Sequence, residues 1–354
     1  MIFIAGIALA VFIEFLLISK KEKSEADIVL ALWMFAMTVH LFFAYLFFSR
    51  QIFDYPFLLA VDMPLPLMHA VFLYWYVGSM TDQLPENRKL AALHFLPALI
   101  MYGYLTSFFI LPAEEKIRIY QNNGAGYEIF EQVRFYAIIL SGIVYIGWSA
   151  VLLARHEKRI LEEFSYQDKI DLQWLRILTW GLGVIWLLIF VSDEILFGGV
   201  VIFVFLIGFF GIRQARIFTH HVVPETEKEK YSKSGLTKEA ADKLYESLID
   251  LMKKEALHRK NDLSIDDLAS KLDIHSNNLS QVINEREKKN FYDFVNQYRV
   301  EDFKKLVSDP KNRHLTLLAL AFECGFNSKS SFNRYFKKAT SQTPSEYFAA
   351  LPNS

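Results

Sequence analysis

Two short stretches near the C-terminal end carry side chains whose types and spacing suit hydrogen bonding to base edges. In the first, Leu279, Val282 and Ile283 read as the inward face of a helix, which leaves Asn277, Asn278, Ser280 and Gln281 outward. Asn and Gln amides bond bidentately to adenine, and short polar side chains can reach bases in a major groove. In the second, Phe332 and Phe336 face inward at four-residue spacing, and Lys329, Ser330, Ser331, Asn333, Arg334 and Lys337 point outward. Lys and Arg there suit phosphate or guanine, and the hydroxyls suit either base or phosphate. Either stretch alone is a weak signal, because soluble helical bundles often show such apolar spacing.

The elements around these stretches make the pattern more specific. Residues Leu263–Glu285 read as one unit. Ser264 opens a hydroxyl-then-acid capping signature, and helix Ile265–Lys271 presents Ile265, Leu268, Ala269 and Leu272 on one face. Leu272–His275 is then a tight connection to the second helix, which is helix-turn-helix geometry. Residues Leu315–Lys338 repeat the plan. Thr316 caps a helix carrying Leu317, Leu318, Ala321 and Phe322, Gly325 supplies the positive φ of the turn, and Ser328 caps Lys329–Lys338.

Between the units, Asn290 caps a helix over Phe291–Ser308 that stops at Asp309-Pro310. Such a strut is roughly 25–27 Å long, a size that could hold two recognition helices near one DNA turn, ~34 Å, apart. Thr343-Pro344-Ser345-Glu346 starts a short closing helix. Upstream, Thr237 can cap an amphipathic helix running to about Ala256, with Ala241, Leu244, Leu248, Leu251 and Met252 on one face. That face is buried either against the module or in a seam between two chains.

Taken together, residues 240–350 resemble the DNA-binding module of the AraC/XylS (arabinose-regulator) family, most closely over Ala319–Tyr347 and the Thr-Pro-Ser-Glu-Tyr end. The resemblance implies base contacts at Asn277, Ser280 and Gln281 in the first unit, and at Lys329, Ser330, Ser331 and Arg334 in the second. It also marks departures. Asp273 stands where a turn glycine is usual, Lys288 and Ser341 stand where glycine is frequent, and His275-Ser276 replaces a common Ser-Arg pair.

The rest of the chain differs in character. Of 354 residues, 53% are hydrophobic, and the mean hydropathy of +0.20 is high for a soluble protein. Seven apolar stretches precede residue 220: Ile2–Ile18, Ala26–Phe48, Phe57–Met80, Leu90–Ile110, Val133–Leu153, Leu172–Val191 and Phe197–Ile217. Each approaches the ~20 residues that cross a bilayer core as a helix. The first lacks a basic residue ahead of it and is followed by Lys20, Lys21 and Lys23, so it reads as a retained helix rather than a signal peptide. With the N-terminus outside, the cytoplasmic loops hold nine basic residues and the external loops three, which is the positive-inside bias.

Polar residues within the stretches are sensing candidates, Asp62 and His69 above all, because Pro64 and Pro66 can open a polar pocket beside them. The longest external loop, Leu111–Glu131, could cover a ligand site or be a plain solvated loop.

The expectation is therefore all-α. A seven-helix transmembrane sensor domain (1–220) is joined by a charged linker (221–236) to an AraC-type double helix-turn-helix DNA-binding domain (237–354). The chain would lie in a bacterial inner (cytoplasmic) membrane as a multi-pass protein with its C-terminal domain in the cytoplasm. Its partners would be promoter DNA, the lipid bilayer, a second copy of itself, RNA polymerase and an unknown signal molecule. The coupling route would run through residues 217–255. A single cysteine, Cys324, excludes an intrachain disulfide and any multi-cysteine metal site. No phosphate loop, paired metal motif or nucleophile elbow appears, so neither a cofactor nor an enzyme activity is expected. The alternative is a transporter or enzyme-like sensor whose C-terminal domain binds protein.

Overall fold

The computed structural model describes residues 1–122, 124–166, 172–214 and 237–351. The charged linker expected at 221–236, the end of the seventh apolar stretch and the fifth-loop Lys169 lie outside the described residues. Among those described, every regular element is helical and the sole β-type pairing is an isolated antiparallel bridge, Phe164 to Ser264. The chain divides into two compact units: Met1–Arg155 with Leu172–His220, and His156–Asp171 with His221–Ser354. The sequence did not lead one to expect that residues 156–166 group with the C-terminal unit.

The first unit contains α1 (Ile2–Ser19), α2 (Glu25–Phe48), α3 (Leu65–Met80), α4 (Arg88–Ala92), α5 (Leu96–Phe109), α6 (Ala113–Gln121), most of α7 (Glu128–Glu163), α8 (Gln173–Leu188) and α9 (Asp193–Gln214). The α1–α2 connection is set by a capping box in which the Ser24 Oγ accepts from the Asp27 N–H and the Asp27 carboxylate accepts from Ser24 N–H. Lys20 Nζ adds an ion pair to Asp27 at 2.8 Å. Helix α2 runs through the core, with Trp33, Met34, Met37 and Leu41 at 0–1% exposure. Close approach of α7 and α8 depends on Gly142, where a Cβ would lie 2.0 Å from the Trp186 ring. The Trp186 indole N–H donates to Ile138 O at 2.9 Å across the same contact.

The described residues do not form seven uninterrupted spans. Among the described residues, four helices are long and apolar enough to cross a membrane: α1, α2, α7 and α9. A fifth results if residues Leu93–Phe109 and Ala113–Gln121, bent by 118°, count as one broken span. The expected third span, Phe57–Met80, is helical in the α sense only from Leu65, because Pro56 starts a 3₁₀ turn and Pro66 sits in the first turn of α3. Proline has no N–H to continue a helix behind it, so each one resets the start. Pro97 does the same at the head of α5, after a 3₁₀ turn over Leu93–Phe95. Helix α8 is apolar but only 16 residues long.

The surface of this unit is apolar. Helix α1 buries only Gly6, Ala10 and Ile13, while Ile2, Ile4, Phe12, Phe15 and Ile18 are at least half exposed. A helix apolar all round needs an apolar environment on every side. Among the described residues of the C-terminal unit, by contrast, Phe322 is the one large apolar side chain that is exposed.

The C-terminal unit holds the end of α7, then α10 (Lys238–Glu255), α11 (Ile265–Lys271), α12 (Ser276–Glu287), α13 (Phe291–Ser308), α14 (Leu317–Glu323), α15 (Lys329–Thr340) and α16 (Pro344–Ala349). It has two small cores joined by α13. The first gathers Leu248, Met252, Leu268, Leu279, Ile283 and Phe294. The second gathers Val300, Phe303, Leu320, Phe332, Phe336 and others.

Candidate nucleic-acid interface

Each helix of the C-terminal unit begins at a side-chain cap. Thr237, Ser264, Asn290, Thr316, Ser328 and Thr343 all accept from a backbone N–H three residues on, and Ser264 and Thr343 complete capping boxes with Asp267 and Glu346. A local hydroxyl or amide here satisfies a donor that the helix cannot. The second helix of the first unit, α12, is capped by His275, whose ring Nδ1 accepts from Asn277 N–H at 3.2 Å.

Helix α12 buries Leu279, Val282 and Ile283. That leaves Asn277 and Gln281 exposed and Ser280 partly so. The Gln281 amide donates to Glu285 Oε1 at 2.8 Å, and Asn284 Nδ2 lies 3.5 Å from Ser280 Oγ. In the second unit α15 buries Phe332, Tyr335 and Phe336 and exposes Lys329, Ser330 and Arg334. Ser331 corrects the sequence reading. It sits in the first turn with its N–H held by Ser328 Oγ, and it is 4% exposed, so it faces the core rather than outward. Phe322 departs the other way: α14 buries Leu320 and Ala321, and Phe322 is 47% exposed.

The charges are distributed unevenly. Lys338 is engaged by the Asp293 carboxylate at 2.7 Å and Arg286 pairs with Asp242 on α10. Lys329 and Lys337 make no ion pair among the described residues and stand exposed on α15. The face of α15 is thus the more basic of the two.

All three positions where the sequence lacks an expected glycine keep a glycine-type backbone. Asp273, Lys288 and Ser341 have φ of 53°, 55° and 61°. An L-residue in this region costs about 1–2 kcal/mol. Each of Asp273→Gly, Lys288→Gly and Ser341→Gly is therefore expected to raise stability by up to about 1 kcal/mol, read as slower hydrogen exchange in the C-terminal unit.

The match to known proteins falls on this same stretch. Residues 268–350 match the family described as helix-turn-helix domain. That match supports the AraC-type resemblance over the two units and covers α12 and α15 with all seven positions that the resemblance implies as contacts. Among curated proteins and solved structures, nothing matches the chain.

At the joint between the two cores of the helix-turn-helix domain lies Arg299, which sequence reasoning missed. It is 1% exposed. Its five N–H groups all donate: to His258 O at 2.7 Å, Lys260 O at 2.8 Å, Ser165 O at 2.9 Å, Ser165 Oγ at 3.0 Å and Asn296 Oδ1 at 3.1 Å. Five is the full donor set of a guanidinium. All of the acceptors are uncharged, and burial pulls the Arg299 pKa down to about 10. The Phe326 ring lies beneath it, 5.9 Å from the guanidinium carbon. Gly325 in the second turn, at φ 95°, approaches the same loop so closely that a Cβ would meet His258 O at 2.5 Å. No local pattern announces such a residue, because its partners lie 39 to 134 positions away apart from Asn296.

Beside it, His258 Nε2 lies 2.7 Å from Asp302 Oδ2. His258 Nδ1 is buried without a partner, so the neutral ring, with Nδ1 unprotonated, suits the site. Burial is the main reason that the imidazole is held below its ordinary value. Burial also pushes the Asp302 carboxyl up, but hydrogen bonds from His258 and Arg259 outweigh it and the net direction is down. Both folded values lie below the unfolded ones, so both contributions are complete above the unfolded pKa and fade as pH falls. The C-terminal unit is expected to lose stability below pH ~6.5, and further below ~3.9, measured as faster hydrogen exchange across α13.

The sensing candidates lie in the other unit and are not brought together. His69 on α3 pairs with His40 of α2, Nε2 to Nδ1 at 2.9 Å, with the rings stacked at 5.1 Å. Asp62 lies in the turn ahead of α3, where its carbonyl accepts from Leu65 N–H. No hydrogen bond joins Asp62 to His69 among the described residues. The loop 111–131 contains α6, and with α2 and α5 it bounds a cavity of about 600 Å³ lined by Phe47, Arg50, Phe108, Tyr120, Tyr127 and Glu131, among others. No cluster of three or more His, Cys, Asp or Glu side chains is placed to hold a metal ion among the described residues.

Proposed function

We propose that the chain is a membrane-embedded one-component transcription regulator. The helix-turn-helix domain binds promoter DNA sequence-specifically, and the first unit lies in the bilayer and senses a signal. The observation that carries the reading is the pair of capped recognition helices, α12 and α15, each burying an apolar face and exposing a polar one. The apolar surface of the first unit supports placement in lipid, with all seven apolar stretches inside the bilayer and three of them as short or broken helices. The charge bias supports a cytoplasmic C-terminal domain. The cavity bounded by loop 111–131 supports a ligand site on the external side.

Asn277, Ser280, Gln281, Lys329, Ser330 and Arg334 are the proposed DNA contacts. The buried Ser331 is no longer among them. Asn277→Ala, Gln281→Ala and Arg334→Ala should each weaken specific binding by ~1–3 kcal/mol, and Lys329→Ala should lower the salt slope by about one unit if it holds a phosphate. The check is a salt series of mobility shifts with the full-length chain in detergent. Complete indifference of binding to salt and to all four substitutions counts against the reading.

A further inference from the structure

We infer that the helix-turn-helix domain carries a docking surface for the far end of α7 and the three residues that follow it, residues 156–166, and that occupancy of this surface is how the membrane unit sets DNA binding. The inference rests on the regulator reading above. Residues 156–166 fold as part of the C-terminal unit, although the helix they terminate starts at Glu128 and runs 36 residues without a break. Such a helix is about 54 Å long, well beyond the ~30 Å of a bilayer core. A rigid rod of this kind carries a shift or rotation from the membrane directly into the module.

What receives the rod is a built surface rather than a chance contact. Ser165 is 1% exposed and its polar atoms are all engaged. Its N–H and its hydroxyl both donate to Leu263 O, at 3.1 and 2.7 Å. Its carbonyl accepts from Arg299 and from Asn296, at 2.9 and 3.0 Å. Phe164 forms the antiparallel bridge to Ser264, the residue whose cap starts α11 of the first helix-turn-helix. One turn earlier, Leu161 packs on the core of the second. The segment thus touches both units at their joint, where Arg299 ties them. Asn296 is fully buried and Arg299 nearly so, and without Ser165 two of the five guanidinium bonds lack an acceptor. A signal that moves α7 therefore alters the joint that fixes one recognition helix against the other.

Two variants of the full-length chain in native membranes test this. Ser165→Pro removes the N–H and the hydroxyl that hold the segment. It should speed hydrogen exchange around residues 263–265 about tenfold and change occupancy of the chain's DNA sites about fivefold or more. Phe164→Cys with Ser264→Cys locks the segment instead. Bridge partners have Cα atoms ~4.5–5.5 Å apart, within the ~4.4–6.8 Å a disulfide spans. The one native cysteine, Cys324, is buried and does not compete. Copper–phenanthroline should link the pair, so that cleavage in the 221–236 tether leaves the two fragments joined, and should hold occupancy at one value that differs from the released variant. If the pair does not cross-link, or if released and locked chains occupy DNA equally, the inference is overturned while the regulator reading stands. If the unaltered chain occupies no DNA, it is the regulator reading that fails.

Discussion

Replacing Gly325 by alanine is expected to lower the stability of the helix-turn-helix domain by about 2–5 kcal/mol. Two effects add. The backbone there has φ 95°, where a Cβ is strained whatever the space around it. The new Cβ would also lie 2.5 Å from His258 O and 2.9 Å from the Arg259 carbonyl group. These are backbone atoms, so relief requires moving the whole turn over Leu257–Arg259. That turn offers His258 O to Arg299, and displacing it loosens the joint as well. All six tryptophans precede residue 187, so fluorescence would report the wrong unit. Hydrogen exchange resolved by peptide is the suitable measurement, with α13–α15 exchanging faster and α2 unaffected. Unchanged protection in α13–α15 would show that the close approach does not hold the domain together.

Arg299→Leu is expected to cost a comparable amount, about 3–5 kcal/mol. The substitution keeps apolar bulk over Phe326 but removes five hydrogen bonds from a charged donor. Some acceptors retain other partners: Ser165 O still receives Asn296 Nδ2, and Lys260 O still receives Leu263 N–H. His258 O and Asn296 Oδ1 are left buried without a donor, and each such orphan costs roughly 1–3 kcal/mol. Arg299→Lys restores the charge but offers at most three donors from one point, so it should recover only part of the loss. The same peptide-resolved exchange checks both variants. A leucine variant as stable as the native chain would contradict the role given to this residue.

The contrast between what the sequence revealed and what it hid follows from range. The caps at Ser264, Asn290, Thr316, Ser328 and Thr343 were legible because donor and acceptor lie three residues apart. The polar faces of α12 and α15 were legible from helical periodicity, and Ser331 was misplaced because its polar type outweighed its position one turn ahead of the buried Tyr335, on the inward face. Positive φ at Lys288 and Ser341 could be suspected only through the family resemblance, since neither residue type favours it. Hydropathy located the apolar stretches but not the breaks within them, because a proline changes hydropathy little and helix continuity greatly. Arg299 and Ser165, at 134 positions apart, left no trace in any local pattern. Their bonds exist only once α7 and α13 are folded.

Mapping the chromosomal sites occupied by the full-length chain in its own membrane, with Gln281→Ala and Arg334→Ala beside it, tests the central claim most directly. The account predicts enrichment at a small set of promoters whose shared sequence has two short elements about 10 base pairs apart, with one element losing its hold on occupancy in each variant. Enrichment no greater than that of a chain lacking residues 237–354, or sites indifferent to both substitutions, would contradict it.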